Sequence, residues 1–420
     1  MRSVRRRREV DEPDGPSSFL IVTQYFAPER GAAQVRLAAI AHELTRRGHR
    51  VEVLTAIPNY PTGRWFEGWR RRLIQEQVED GRRVIRLWIW PAIGSGIGRW
   101  LNHLSFALLA PLGLRAARRP DWVFLEYPAL PAAVPVLWWS RRRGGRVAVN
   151  VADLWVDAAI DAEVIPGRLA TALAQRVERW ALDRADVVNA VSEGVADALV
   201  AKGVGRDRIR WLPNGVDPAM FRPGPVPDGV REELGLPDGH DLVLYAGTHG
   251  FVHQLDVVLE AATQLADLPV LVVLVGDGSE RERLVRRAAA LGLANVRFLP
   301  SVSPERVAAY LRAASVGLAT VRAGAVYESV RSAKMLPVLA SGIPLVYAAS
   351  DEGAAIVERI GAGIRTPPGD SAAMAEAIRT LLADPDLRRT MGARGREYAV
   401  QEGDWSELVG SWVESLPVEG

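Results

Sequence analysis

The chain has 420 residues, of which 48% are hydrophobic and 24% charged, and its formal net charge at pH 7 is +2. This length favours two or three domains with a large core, and the small net charge gives no reason to expect a nucleic-acid partner. The absence of cysteine excludes a disulfide framework, a thiolate metal site and a cysteine nucleophile.

The chain begins with a basic segment, residues 1–16, that carries five arginines and almost no large apolar side chains. This composition predicts a disordered tail, and the segment lacks the apolar stretch that a secretory signal requires. Two interpretations stay open: a tail that binds anionic lipid, and a terminus that is simply solvated.

Strands and helices then alternate along the first half. Residues 18–24 form a short apolar run typical of a buried parallel strand. An amphipathic helix that ends near Gly48 follows, and a strand at 50–54 completes a right-handed βαβ unit. The apolar face of that helix comprises Leu37, Ile40, Ala41 and Leu44. The other elements predicted here are strands at 84–90, 122–126, 146–150, 187–191 and 209–212 and helices at 167–183 and 193–202.

Two segments of the first half, 98–118 and 136–143, combine apolar residues and tryptophan with arginine at one end. Nine of the 13 tryptophans fall between Trp65 and Trp155. Neither segment is uninterruptedly apolar over about 18 residues, so no transmembrane helix is predicted. Tryptophan beside arginine is typical of a membrane-interface face; the alternative is a domain core that is rich in tryptophan.

The second half begins after a stretch rich in proline and glycine, 221–235, which is typical of a domain linker. The elements predicted beyond it are strands at 242–247, 269–275, 295–299, 315–320, 344–347 and 363–366 and helices at 254–266, 279–291, 304–313, 334–340, 352–360, 371–383 and 386–399. This alternation predicts an α/β fold with two Rossmann-like domains, 17–220 and 221–400, whose parallel sheets face each other across a cleft. Ligands then bind at the carboxyl ends of the strands.

Three loops of the second half carry residues suited to a diphosphate. Glycines after a strand let backbone amides approach a phosphate, and a lysine neutralises its charge. Each feature also has a plainer interpretation: a tight strand-to-helix turn for the glycines, and a solvated side chain for the lysine. The candidate residues are Gly247, Thr248, His249 and Gly250, then Gly276 and Gly278, then Glu328, Arg331, Ser332 and Lys334.

In the first half, Asp153 directly follows the strand at 146–151 and precedes Trp155. A carboxylate in this position can orient or deprotonate an acceptor hydroxyl; the alternative is an aspartate that caps a helix. The further candidates on the acceptor side are Gly31, Gln34, Asn59, Tyr60 and Glu126. The six histidines show no metal-ligand spacing, so no metal is expected.

Seven pieces of the sequence match one family in order. They are TQYFAPERGAAQ (23–34), NYPTG (59–63), ADLW (152–155), LPNGVD (212–217), YAGTHG (245–250), VGDGSE (275–280) and PPGD (367–370). On these residues the chain resembles the retaining GT-B glycosyltransferases of family four, in particular the bacterial fucosamine and colanic-acid transferase group.

The resemblance implies a GT-B fold with an acceptor-binding first half and a nucleotide-sugar-binding second half. It implies a donor of the UDP, GDP or dTDP type, no metal and no further cofactor. It also implies that the end of the chain, 401–420, packs back on the first domain. Lys334 and loop 247–250 would hold the donor phosphates, and Asp153 would serve the acceptor. Members of the group act on polyprenyl-diphosphate-linked sugars at the inner face of the cell membrane, so a cytoplasmic, peripherally membrane-associated enzyme is expected.

One departure from the family pattern keeps alternatives open. The slot of the glutamate that normally holds the nucleotide ribose is Pro337, and the upstream glutamate slot is Ser329, with Glu328 one place away. Proline cannot accept the two hydroxyl hydrogen bonds that a carboxylate accepts. A non-catalytic binding or scaffold protein of the same fold is therefore an alternative, and a sugar-nucleotide epimerase is a weaker one.

Overall fold

The computed structural model describes residues 17–29, 31–60, 62–69, 72–92, 96–127, 130–161, 167–328 and 331–417. The basic tail expected at residues 1–16 lies outside these described residues.

The first sheet of the described chain has eight strands in the order β3-β4-β2-β1-β5-β6-β7-β8. Their bounds are β1 (Ser18–Val22), β2 (Arg50–Ala56), β3 (Ile74–Glu79), β4 (Arg82–Leu87), β5 (Trp122–Tyr127), β6 (Arg146–Val151), β7 (Val187–Ala190) and β8 (Ile209–Trp211). All neighbouring pairs are parallel except β3 with β4. The strand order reverses at β1, whose neighbours are β2 and β5, so the loop after β1 lies at a switch point of the sheet.

The antiparallel β3 was not predicted. Its side chains are half-buried or exposed, because it lies at the edge of the sheet and needs no continuous apolar run. The turn into β4 is Asp80-Gly81, and both residues have positive φ angles of 47° and 76°. This dipeptide is a strong hairpin signal that the sequence does contain.

Helices cover both faces of this sheet. They are α1 (Ala32–Arg46), α2 (Ile97–Ala116), α3 (Leu130–Arg143), α4 (Trp155–Asp161), α5 (Gly167–Arg184) and α6 (Glu193–Ala201). The predicted apolar face of α1 is confirmed, since all four of its named residues are fully buried beneath the sheet. No helix in the described part of the chain combines the length and the hydropathy needed to cross a bilayer.

The second sheet has six parallel strands in the order β11-β10-β9-β12-β13-β14. Their bounds are β9 (Asp241–Ala246), β10 (Val270–Val275), β11 (Val296–Leu299), β12 (Val316–Thr320), β13 (Leu345–Ala348) and β14 (Gly363–Thr366). The order reverses between β9 and β12, which places the loops after these two strands side by side at the switch point. The predicted α/β fold with two Rossmann-like domains is confirmed.

The helices of the second half are α7 (Val230–Leu234), α8 (Asp256–Gln264), α9 (Arg281–Ala290), α10 (Pro304–Ala313), α11 (Ala325–Glu328), α12 (Met335–Ala340), α13 (Glu352–Ile360), α14 (Ser371–Ala383), α15 (Pro385–Gln401) and α16 (Trp405–Glu414). Part of the stretch interpreted as a linker is α7, whose Val230 and Leu234 are buried in the second domain's core. Side-chain caps begin several helices: Ser303, Asp351, Asp370 and Asp384 each accept a backbone N–H.

The last helix, α16, lies against α1 and the first sheet. Trp412 is fully buried, stacks edge-on against Phe124 with ring centroids 5.5 Å apart, and donates from Nε1 to Asn189 Oδ1 at 2.8 Å. Burial of a tryptophan with its N–H satisfied anchors this segment firmly.

Candidate active site

Two loops at the carboxyl ends of β9 and β10 pack face to face. The backbone N–H of Gly247 donates to Val275 at 2.9 Å, and that of His249 donates to Asp277 at 2.8 Å. Gly276 has φ +148°, and a Cβ there would lie 1.9 Å from the Gly247 carbonyl oxygen. Glycine is therefore required for the two loops to meet, which is a packing reason beside the phosphate role predicted for Gly276 and Gly278.

Lys334 lies at the start of α12, and its side chain crosses directly over Gly247. A Cβ on Gly247 would lie 2.2 Å from Lys334 Cε, so only glycine leaves room for the lysine. Lys334 Nζ is 2.9 Å from Nε2 of His253, which follows β9 in a short 3₁₀ turn. Lys334 and Gly247 were predicted as site residues, whereas His253 was not, because its spacing of four residues from His249 suggested only a metal site, which the sequence does not otherwise support.

The charges of this pair are set by their surroundings. Burial lowers the pKa of Lys334 to about 8. Burial and the neighbouring lysine lower the pKa of His253 to about 3. At neutral pH the contact is therefore an ammonium that donates to a neutral imidazole.

The other candidates of loop 247–250 are placed differently. The His249 side chain is fully buried against Phe298 and Tyr245, and its ring nitrogens have no hydrogen-bond partner among the described residues. Burial lowers the pKa of His249 to about 4. Thr248 is half-buried, and its carbonyl accepts from the Tyr245 hydroxyl at 2.8 Å. The imidazole of His249 is thus enclosed by the domain, so this loop can contact a ligand through its backbone groups and the half-buried Thr248 side chain.

Arg331 is brought near this site but is held by another partner. Its guanidinium is buried and donates to the Tyr398 hydroxyl of α15 at 2.6 Å. Ser332 is also buried, whereas Glu328 is exposed at the end of α11. Residues 329–330 lie outside the described residues, so the upstream glutamate slot is not described. Contacts of these residues with a phosphate stay predictions.

On the acceptor side, Asp153 is exposed to solvent in the loop after β6. Protein atoms nevertheless surround it closely, and this desolvation raises the pKa of Asp153 while the charge of Arg36 opposes the rise. The following helix α4 begins at Trp155, so its capping position falls on Leu154 and not on Asp153. This placement removes the structural reason for the helix-cap interpretation.

Glu126 is engaged in an internal ion pair. Its carboxylate accepts from the Arg36 guanidinium and, at 2.8 Å, from Asn150 Nδ2. Arg36 also donates to Asn214 Oδ1 at 3.2 Å, and the Asn214 side-chain amide donates to the Arg331 carbonyl at 3.4 Å. Glu126 and Arg36 are both buried. The contacts run from Glu126 through Arg36 and Asn214 to the backbone of Arg331, and so connect the first domain to the loop that carries Lys334.

Glu29 is a buried carboxylate that sequence reasoning passed over. Its Oε1 accepts the backbone N–H groups of Asn59 and Tyr60 at 2.7 and 2.8 Å, and its Oε2 accepts that of Phe26 at 3.1 Å. Burial raises the pKa of Glu29 to about 7 against these three donors, which favour the charged form. Glu29 thereby joins the loops after β1 and β2 and sets the positions of the predicted candidates Asn59 and Tyr60.

A polar network joins α2 to the loop after β1. His103 Nδ1 lies 2.6 Å from Gln24 Oε1, and the Tyr25 hydroxyl donates to Asn102 Oδ1 at 3.1 Å. The His103 ring meets Trp155 edge-on with centroids 6.2 Å apart.

The remaining acceptor-side candidates, Gly31 and Gln34, lie at the start of α1, where the Gln34 side chain folds back over Gly31.

In the described parts of the chain, no group of three or more histidines, aspartates or glutamates is placed to hold a metal ion. The candidate residues instead lie at or after the carboxyl ends of β1, β2, β5 and β6 in the first domain and of β9, β10 and β12 in the second. This arrangement defines the GT-B class of glycosyltransferases.

Comparison with known proteins agrees with this class. The family model "Glycosyl transferase 4-like domain" matches residues 31–215, and "Glycosyl transferases group 1" matches residues 228–398. The colanic acid biosynthesis glycosyl transferase WcaI of Escherichia coli is 27% identical over 93% of this chain and 97% of its own. A D-inositol 3-phosphate glycosyltransferase of Xylanimonas cellulosilytica is 32% identical over 92% and 91%. Anabaena HepE, solved in complex with UDP-glucose, superimposes with a TM-score of 0.71 at 18% identity, covering 95% of this chain and 100% of its own.

The chain therefore belongs to the glycosyltransferase family that combines the 4-like and group 1 domains, and it is an enzyme of that family. The resemblance to family four that the motifs indicated is confirmed.

Proposed function

We propose that the enzyme transfers a sugar from a nucleotide-sugar donor to a saccharide carried on a polyprenyl diphosphate, with retention of configuration, in the assembly of a cell-surface polysaccharide. The observation that carries the donor assignment is Lys334. Its methylene chain crosses Gly247, its ammonium meets His253, and among the described residues no carboxylate lies within ion-pair distance of that ammonium. A cation that no protein anion neutralises is suited to an anionic ligand. HepE, which shares the fold, was solved with UDP-glucose, which supports a donor of this class.

The proposed chemistry follows from the two sides of the cleft. The donor diphosphate leaves with its new charge stabilised by Lys334 and by backbone amides of loop 247–250. Asp153 orients the acceptor hydroxyl or takes its proton. Closure of the two domains excludes water from the reacting bond.

Pro337 favours a second candidate, a binding protein of the same fold without catalysis. It is the third residue of α12, where its missing N–H costs no helical hydrogen bond. The fold therefore tolerates Pro337 well, but no carboxylate is available at this position for a ribose.

A thermal-shift screen with UDP, GDP, dTDP and their sugars separates the two candidates. We expect one nucleotide to raise the melting temperature, because a ligand at about 100 times its Kd stabilises the native state by roughly 2.7 kcal/mol. The nucleotide that does so also names the base. If none of them stabilises the protein, the donor-binding proposal is wrong and the non-catalytic binding protein becomes the better-supported candidate.

We further propose that α2 and α3 bind the membrane surface on the cytoplasmic side, as a lipid-linked acceptor requires. Exposed apolar side chains along both helices include Ile97 (80% exposed), Leu108 (70%) and Trp138 (56%). Basic residues lie in the last turn of each helix, and the Arg142 guanidinium lies 3.9 Å from the centroid of the Trp138 ring. Apolar and basic groups on one face suit an anionic lipid interface.

The double substitution Leu104→Glu and Leu108→Glu tests this surface. Since fully burying one leucine contributes about 1.5–3 kcal/mol, we expect more than about tenfold weaker binding to vesicles of mixed neutral and anionic phospholipid in a flotation assay. The control is Leu291→Glu, which changes an exposed leucine directly after α9 in the second domain (43% exposed, against 48% for Leu104) and should leave binding unchanged. Equal binding by both variants would exclude this face.

A further inference from the structure

The chain contains only two lysines among its 52 basic residues, Lys202 and Lys334. Their surroundings differ in kind. Lys202 Nζ lies 2.7 Å from Asp157 Oδ2 and 2.8 Å from Glu178 Oε2, so two carboxylates neutralise it. Lys334 Nζ has the uncharged His253 as the one hydrogen-bond partner that the described residues supply. The first lysine is a structural cation, whereas the second keeps its charge available.

The imidazole that meets Lys334 is itself held in place. His253 Nδ1 lies 3.3 Å from the Thr320 carbonyl oxygen, and the Thr320 hydroxyl donates to the His253 carbonyl. A donor at Nδ1 fixes the tautomer in which Nε2 is an acceptor. The end of β12 thus fixes the ring, and the ring directs its lone pair at Lys334.

A neutral hydrogen-bond acceptor affects a neighbouring lysine differently from the way a carboxylate does. It fixes the direction of one N–H bond and stabilises the ammonium form, but it leaves the full positive charge in the cleft. A carboxylate at the same distance would fix the lysine equally well and would cancel the charge that attracts an anion. The lysine also lies over a glycine, so its methylene chain has a defined path.

We infer that His253 is a positioning residue that holds the Lys334 ammonium beside the loop after β9, ready for the diphosphate of the donor, without neutralising it. This inference rests on the proposed donor role of Lys334. His253 need not touch the substrate; it acts through the lysine. The other ionisable groups that face this pair are Tyr245 and His249, both of which burial keeps neutral near pH 7.

The first test reads the lysine directly and does not depend on activity. Acylation of the protein by an amine-specific reagent over a range of pH, read by peptide mass spectrometry, reports each lysine separately, with Lys202 as an internal control. For Lys334 we expect a midpoint near pH 8 in the wild type. In His253→Leu we expect a midpoint about one pH unit lower, because the acceptor that stabilises the ammonium is gone. In His253→Gln, whose amide oxygen can accept the same bond, the midpoint stays near the wild-type value. An unchanged midpoint in His253→Leu overturns the inference.

The second test reads the effect on the ligand. We expect His253→Leu to weaken binding of the nucleoside diphosphate about tenfold by calorimetry, and His253→Gln to weaken it less than about threefold. In a Lys334→Met background, His253→Leu should add nothing, since both substitutions act through one ammonium. Equal losses in the Leu and Gln variants, or an additive loss in the double variant, would reduce His253 to a packing role. If the wild type binds no nucleoside diphosphate while the lysine midpoint still responds to His253, the pairing stands and the proposed donor site is wrong.

Discussion

Replacing Lys334 with methionine is expected to lower kcat by about 10²–10³-fold while leaving the fold intact. A preorganised donor aimed at developing negative charge contributes on this scale. Methionine keeps the length and the apolar stem that crosses Gly247, so packing against the loop is retained. The rate is measured as release of nucleoside diphosphate from the donor that the thermal-shift screen identifies.

The pH dependence of the wild type gives a second readout of the same group. A lysine is charged below its pKa, and burial lowers that of Lys334 to about 8. We therefore expect kcat/KM to fall as pH rises through about 8, because this profile reports the free enzyme.

The matched control is Lys202→Met, which removes the other lysine. It leaves Asp157 and Glu178 without their cation, so it should lower the melting temperature while keeping kcat within about threefold of the wild type. An active Lys334→Met enzyme would rule out the assignment of Lys334 to the leaving diphosphate.

Much of the fold could be predicted because its signals are local. Helices α10, α13 and α14 begin and end where the apolar periodicity and the Ser303, Asp351 and Asp370 caps place them. The buried parallel strands appear as apolar runs for the same reason. The edge strand β3 escaped prediction because its stability comes from pairing with β4 and not from its own pattern.

The candidate site was predictable in position but not in contacts. Strand ends located Gly247, Lys334 and Asp153, since a parallel sheet brings its carboxyl ends to one edge. Which way a side chain turns depends on distant partners: Arg331 faces Tyr398 of α15, 67 residues away in the sequence. His253 has no motif, and its importance appears only when α12 brings Lys334 against it.

Polar contacts join the two halves of the site among the described residues. Arg36 binds Glu126 beneath the acceptor side and also donates to Asn214, which in turn donates to the backbone of Arg331. The Glu352 carboxylate accepts the N–H of Glu193 at 2.8 Å, at the start of α6 in the first domain. Polar contacts of this kind are typical of interfaces between domains of one chain, for which relative motion is the default expectation.

Replacing Asp153 with asparagine is expected to lower kcat by about 10²–10³-fold, within the range of a general base. Asparagine keeps the size and the polar contacts of the side chain but cannot take a proton. Because Asp153 is exposed and follows β6 outside any helix cap, the melting temperature should change little.

The wild-type rate should fall as pH decreases through the pKa of Asp153, since the base works only when ionised. Desolvation raises that pKa, so the fall should begin above the ordinary range of aspartate, about 3.9. The control is Asp197→Asn, an exposed aspartate paired with Arg206 at the surface of α6, which should retain the wild-type rate and pH profile. If Asp153→Asn keeps its rate, or loses it while the acid side of the profile stays unchanged, then Asp153 is not the base.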